Sequence, residues 1–135
     1  MAYWILKTEP DDYSWDDLNR AGRTVWDGVA NNTALMHIRT MQIDDEAMIY
    51  HTGDVRAAVG IARVASAPYA DPAAGDPKLV VVDVEPVRAL ARAVPLARIK
   101  AEPALAEWAL VRQGRLSVVP CTAEQWRWLL EQGEG

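Results

Sequence analysis

Residues 78–87 read KLVVVDVEPV, and their pattern decides the fold class. Val80, Val82 and Val84 alternate with Val81, Asp83 and Glu85, so one face is apolar throughout. That two-residue period is the mark of a strand with a buried side. Pro86, which has no backbone N–H to give to a ladder, is expected to close it. Immediately upstream, Pro68–Pro77 holds three prolines, three alanines and a glycine and reads as a loop too short to link domains. Further out, Ala58–Ser66 and Ala47–His51 read as two strands across a Gly53-Asp54 turn, with Gly60 marking a bulge or a close backbone approach.

The flanks add short elements of both kinds. Tyr3–Lys7 is an aromatic and β-branched strand stopped by Pro10. Ser14 caps a helix to about Arg20, with Asp16 and Asp17 in its first turn and Gly22 behind it. Thr24–Trp26 is a brief strand or extended link. Asn31, Asn32 or Thr33 caps a helix over Ala34–Met41, whose Leu35, Ile38 and Met41 share a face. Downstream, Leu96–Lys100 and Ala104–Val111 are expected helices, the second started by Pro103. Arg115–Val119 is a last strand ended by Pro120, and Thr122 with Gln125 forms a capping box for a closing helix to about Gln132. Five or six strands interleaved with short helices, without a regular βαβ rhythm, define an α+β domain, residues 1–135, built on a small barrel-like sheet.

Composition narrows the function classes. The chain has 135 residues, half of them hydrophobic, a size suited to one core. No apolar run approaches the roughly 20 residues that cross a bilayer, and the N-terminus lacks a basic lead, so neither a membrane span nor a secretory signal is expected. A lone cysteine, Cys121, allows no internal disulfide, which suits the reducing cytoplasm. The net charge of −5 argues against a protein that coats nucleic acid through charge alone. Yet residues 88–115 carry six Arg and Lys against two Glu, an expected basic strip on an acidic body.

Six tryptophans without a single phenylalanine is the oddest feature of the composition. Trp15, Trp108, Trp126 and Trp128 fall in helical patterns and Trp4 in a strand, all positions expected to fill the core. Trp26 differs: it precedes Asp27-Gly28 and the amides Asn31-Asn32, a setting for a ring that stacks on a flat ligand. Lys7, Thr8 and Glu9 follow the first strand and offer a point charge, a hydroxyl and a carboxylate that accepts from an exocyclic amine. Tyr50 and His51 end another strand. Enzyme signatures are missing: no phosphate-binding glycine loop, no HExxH or paired CxxC, and no GxSxG around Ser14, Ser66 or Ser117. No catalytic residue, metal or cofactor is therefore assigned.

Taken together, YWILKTEPDDYSWDDL, VWDGVANN, IYHTGD, VGIARV and LVRQGRLSVVP resemble the EVE domain, in family order from Tyr3 to about Trp128. The resemblance implies a PUA-like twisted β-barrel with helices around it, related to YTH and ASCH domains. It also implies a non-catalytic module that captures a flipped, modified nucleobase of DNA or RNA in an aromatic pocket. The short span and the lack of a heptad suggest a monomer, and a domain with no effector attached suggests an effector protein supplied in trans. Carried over, the pocket would be built by Lys7, Thr8, Glu9, Trp26, Val29, Asn31, Tyr50 and His51, with Ser117 at its floor. The chain departs from the pattern at Ala30, where many relatives carry an arginine. Two other readings compete. One is a hydrolase or ribonuclease akin to ASCH domains, with His51 as base and Glu9 as its partner. The other is a protein-interaction module with a vestigial pocket, presenting Trp108 or Trp126.

Overall fold

The computed structural model describes residues 1–135. In chain order the elements are β1 (Tyr3–Thr8), α1 (Trp15–Ala21), β2 (Thr24–Trp26), α2 (Asn32–Thr40), β3 (Glu46–His51), β4 (Ala57–Val64), β5 (Tyr69–Ala70), β6 (Val80–Pro95), α3 (Leu96–Lys100), a 3₁₀ turn (Pro103–Leu105), α4 (Ala109–Arg112), β7 (Val118–Cys121) and α5 (Ala123–Glu134). The strands form one curled mixed sheet in the order β2-β6-β4-β3-β1-β7, with the two-residue β5 added to β6. β1 and β3 run parallel, and every other pair is antiparallel. The curl leaves β2 and β7 as its two ends, with no ladder joining them, so the barrel is open along one side. Helix α2 packs against both β6 and β7, α1 and α5 pack on β6, and no helix is long and apolar enough to cross a membrane.

The apolar faces meet in one core cluster of 33 buried residues, centred on Ile5, Leu6, Met48, Ile49, Ile61, Val64, Val82 and Leu129. Gly60 is both things its position suggested. The β4–β6 register shifts beside it, and a Cβ placed there would lie 2.5 Å from the Trp15 ring. Absence of a side chain is thus what lets Trp15 seat α1 on the sheet. Cap chemistry fixes three helices. Ser14 and Thr122 form reciprocal capping boxes with Asp17 and Gln125, and the Asn31 side chain accepts from the N–H groups of Thr33 and Ala34 at 2.9 and 3.1 Å. Asp45, 3% exposed, is satisfied by Ala2 N, the Trp4 indole and Gln42 N, all within 3.1 Å.

Four expectations need correcting. Pro86 does not end its strand: β6 runs on to Pro95. Pro86 faces Ala62 where the β4–β6 register slips, so the N–H it lacks falls at an irregularity of the ladder. The expected helix over Ala104–Val111 is a 3₁₀ turn and a separate short helix, with Trp108 extended between them (φ −63°, ψ 137°). The last strand begins at Val118 and runs through Pro120, tolerated because β7 pairs only with β1 and its other edge is free. Trp108 and Trp126 are buried, at 6% and 4% exposure, and cannot present an interaction surface.

Candidate nucleic-acid interface

The open side of the sheet holds a cavity of about 390 Å³, lined by Lys7, Thr8, Asp12, Tyr13, Thr24, Val25, Trp26, Asp27, Gly28, Val29 and Ser117. It draws on β2 at one end of the sheet, and on the end of β1 and the approach to β7 at the other. Local chemistry explains each wall. The Glu9 carbonyl accepts from Asp12 N and Tyr13 N, and the Thr8 hydroxyl donates to the Tyr13 carbonyl at 2.7 Å. This compact turn brings Asp12 and Tyr13 to the cavity. Opposite, Gly28 takes a left-handed φ of 76°, which bends the chain after β2 so that Trp26 and Val29 share one rim. The third wall is fixed by Lys7 N, which donates to the Ser117 carbonyl at 2.9 Å.

Trp26 is 6% exposed and meets Tyr13 edge to face, with centroids 6.3 Å apart and planes at 86°. The Tyr13 hydroxyl is buried without a hydrogen-bond partner. The Lys7 ammonium donates to the Gly114 carbonyl at 3.2 Å and sits 5.9 Å from the Tyr50 ring centroid, and burial holds its pKa below the ordinary lysine value. The cavity lining therefore carries two aromatic walls, a cation, four hydroxyls and two carboxylates. Such a set suits a flat, partly polar ligand, and its volume lies within the range of small-molecule sites.

Lys7, Thr8, Trp26, Val29 and Ser117 thus come together, and four other sequence candidates lie elsewhere. The Glu9 carboxylate accepts from Asp11 N at 3.1 Å and lies over Gly53, at the β3–β4 turn. The Asn31 oxygen caps α2, and its residue lines an adjoining groove. Tyr50 is buried on the far side of Lys7, facing a second groove. His51 Nε2 accepts the Trp15 N–H at 3.0 Å, tying β3 to the start of α1. Burial lowers the His51 pKa, opposed by the nearby charges of Asp16 and Glu9. Asp12, Tyr13 and Asp27 were not singled out from sequence, although each stands within four residues of one that was.

Half of the basic strip of residues 88–115 is engaged within the protein, while Arg98, Lys100 and Arg115 make no ion pair. Arg88 pairs with Glu134, Arg92 donates to carbonyls at the C-terminus, and Arg112 lies 3.9 Å from Glu107.

A curled, open sheet with an aromatic cavity at its opening is the PUA-like arrangement. The sequence matches the EVE domain family over residues 2–132, and the chain belongs to that family. Among curated proteins, mouse thymocyte nuclear protein 1 is 31% identical over 98% of this chain and 74% of its own length. Among solved structures, Rpa0253 from Rhodopseudomonas palustris is 40% identical with a TM-score of 0.93, over 98% of this chain and 93% of that one. Human THYN1, solved in complex with 5-methylcytosine containing DNA, is 29% identical with a TM-score of 0.89, over 100% of this chain and 99% of that one.

Proposed function

We propose that this protein is a non-catalytic nucleic-acid-binding module that takes a single, modified nucleobase into the cavity at the opening of its sheet. The observation that carries the reading is the cavity's composition: Trp26 and Tyr13 as walls, with Asp12, Asp27 and Lys7 as polar groups around them. Stacking on an aromatic ring contributes roughly 1–3 kcal/mol per base, enough to offset much of the few kcal/mol that extruding a base costs. A carboxylate accepts from an exocyclic amine such as N4 of cytosine, and Lys7 donates to a ring carbonyl or nitrogen. The relative solved with 5-methylcytosine containing DNA supports a DNA strand carrying a modified cytosine as the first ligand to try.

The hydrolase reading finds less support. His51, its general base, has the Nε2 lone pair engaged by the Trp15 N–H, and the Cys121 thiol is pushed up to about 12 by burial, far from a thiolate at neutral pH.

The test is a titration of short DNA and RNA oligonucleotides, unmodified or carrying 5-methylcytosine, followed by tryptophan quenching. Trp26 belongs to the core, so Trp26→Ala is expected to cost about 3–5 kcal/mol of stability as well as binding. Ser117→Leu, which adds bulk at the cavity wall, is the cleaner probe. It is expected to abolish preference for the modified base by at least about tenfold, an energy of 1.4 kcal/mol, while the protein stays folded. Retained preference in a folded Ser117→Leu variant rules the cavity out as the base site.

A further inference from the structure

The cavity does not stand alone. A groove of about 260 Å³ shares Lys7 with it and is lined besides by Tyr50, Thr52, Arg56, Leu96, Lys100 and Gly114 among others. A second groove, also of about 260 Å³, shares Gly114 with the first and is lined by Asn31, Thr33, Gln113, Arg115 and Leu116. The three concavities therefore meet around Lys7 and Gly114, and neither groove has a carboxylate in its lining. Asp54 appears only further out, where the first groove continues past Arg56 and Lys100.

Five of the cations elsewhere on the molecule are held by carboxylates, whereas those lining the two grooves are not. Arg20, Arg23, Arg63, Arg88 and Arg112 each stand within ion-pair distance of a carboxylate. Arg56, Lys100 and Arg115 pair with none. The Arg56 side chain makes one bond, from Nε to the Gly53 carbonyl at 3.1 Å, which leaves both terminal nitrogens free. Its backbone is pinned at a φ of 48° while its carbonyl accepts from Leu96 N at 2.8 Å, so the start of β4 and the start of α3 fix where the guanidinium begins. On a chain of net charge −5, unpaired cations gathered beside an aromatic cavity form a local anion-binding track.

We propose that the sugar-phosphate backbone flanking the captured base lies along these grooves, with Arg56 and Lys100 meeting phosphates on one side of the cavity and Arg115 on the other. This rests on the base-capture reading for its anchor and supplies the charge that Ala30 does not. A guanidinium takes a phosphate in a forked contact and an ammonium takes it as a point charge. Each phosphate neutralised releases counterions, so each contact steepens the fall of affinity with salt by about 0.7–0.9 in the log–log slope.

The experiment is fluorescence anisotropy with a labelled 5-methylcytosine oligonucleotide and its unmodified twin, between roughly 50 and 200 mM salt. Arg56→Gln with Lys100→Gln is expected to weaken binding to both strands alike and to lower the slope by about 1.4–1.8. Preference for the modified base should be unchanged. Arg115→Gln alone should remove a further 0.7–0.9 or so, and Arg88→Gln, on a cation already paired, should leave the slope where it was. An unaltered slope in the folded double variant overturns the proposal, as does a parent protein that binds no oligonucleotide at low salt. A parent with a salt slope that the double variant lowers, yet without base preference, supports the grooves and sinks base capture alone.

Discussion

His51 shows how one residue can look catalytic in sequence and act structurally in the fold. Its Nε2 accepts the Trp15 N–H, one of the N-terminal amides that a helix cannot satisfy itself. Burial favours the neutral ring and lowers its pKa, against the pull of Asp16 and Glu9. Because the folded value lies below the unfolded one of about 6.5, the unfolded chain binds the proton more readily. The stabilisation is therefore complete above about pH 6.5 and is lost as pH falls from there through the folded value. Thermal unfolding midpoints should decline between about pH 7 and 5.5, and the decline should be shallower in His51→Gln, whose amide oxygen can accept the same N–H. A residual slope is expected from His37, also lowered by burial. Equal slopes in parent and variant would show that His51 does not carry the effect.

Among the elements, α2 is the one whose cap and site roles compete. Asn31 begins it, with its oxygen shared between two backbone N–H groups, and it also lines a groove beside the cavity. Asn31→Ala should cost about 0.5–2 kcal/mol in chemical denaturation, whereas Asn31→Asp, which caps as well, should hold stability. If Asn31→Asp is stable but loses base preference, the amide nitrogen reads the base as the sequence suggested, and if preference stays the residue serves the helix alone. The element boundaries that were legible are those written in local chemistry: the Ser14 and Thr122 caps, the Gly22 stop, and the valine alternation of β6. Those that were not depend on partners far away in sequence. Nothing near Pro86 reveals that it meets a register slip at Ala62, and nothing near Trp108 reveals that its indole donates to the Pro120 carbonyl at 2.9 Å. The site, cavity and grooves together, was half legible for the same reason. Lys7, Thr8 and Trp26 stand out at strand ends, but Arg56 and Lys100 become neighbours only when β4 is laid beside the end of β6.

At the scale of the whole molecule, the sheet has a strong middle and two ends that no ladder joins, and the site lies between the ends. β1, β3, β4 and the first half of β6 carry the longest ladders and most of the fully buried side chains, while β2 holds three residues and β5 two. Local opening free energy follows burial and hydrogen bonding, so amide exchange should be slowest at Ile5, Leu6, Met48, Ile49 and Ile61, where exchange requires global unfolding. It should be fastest through Ala65–Leu79, where β5 is the only strand. A ligand that bridges the open side binds the folded state alone and adds protection where it touches. On adding a 5-methylcytosine oligonucleotide, Thr24–Val29 and Gln113–Ser117 should therefore slow together, one stretch from each end of the sheet, with the central strands unchanged. Protection confined to the other end of β1, around Tyr3 and the Trp126 ring stacked on it at 4.8 Å, would place the ligand in a different cleft and remove the open side from the mechanism.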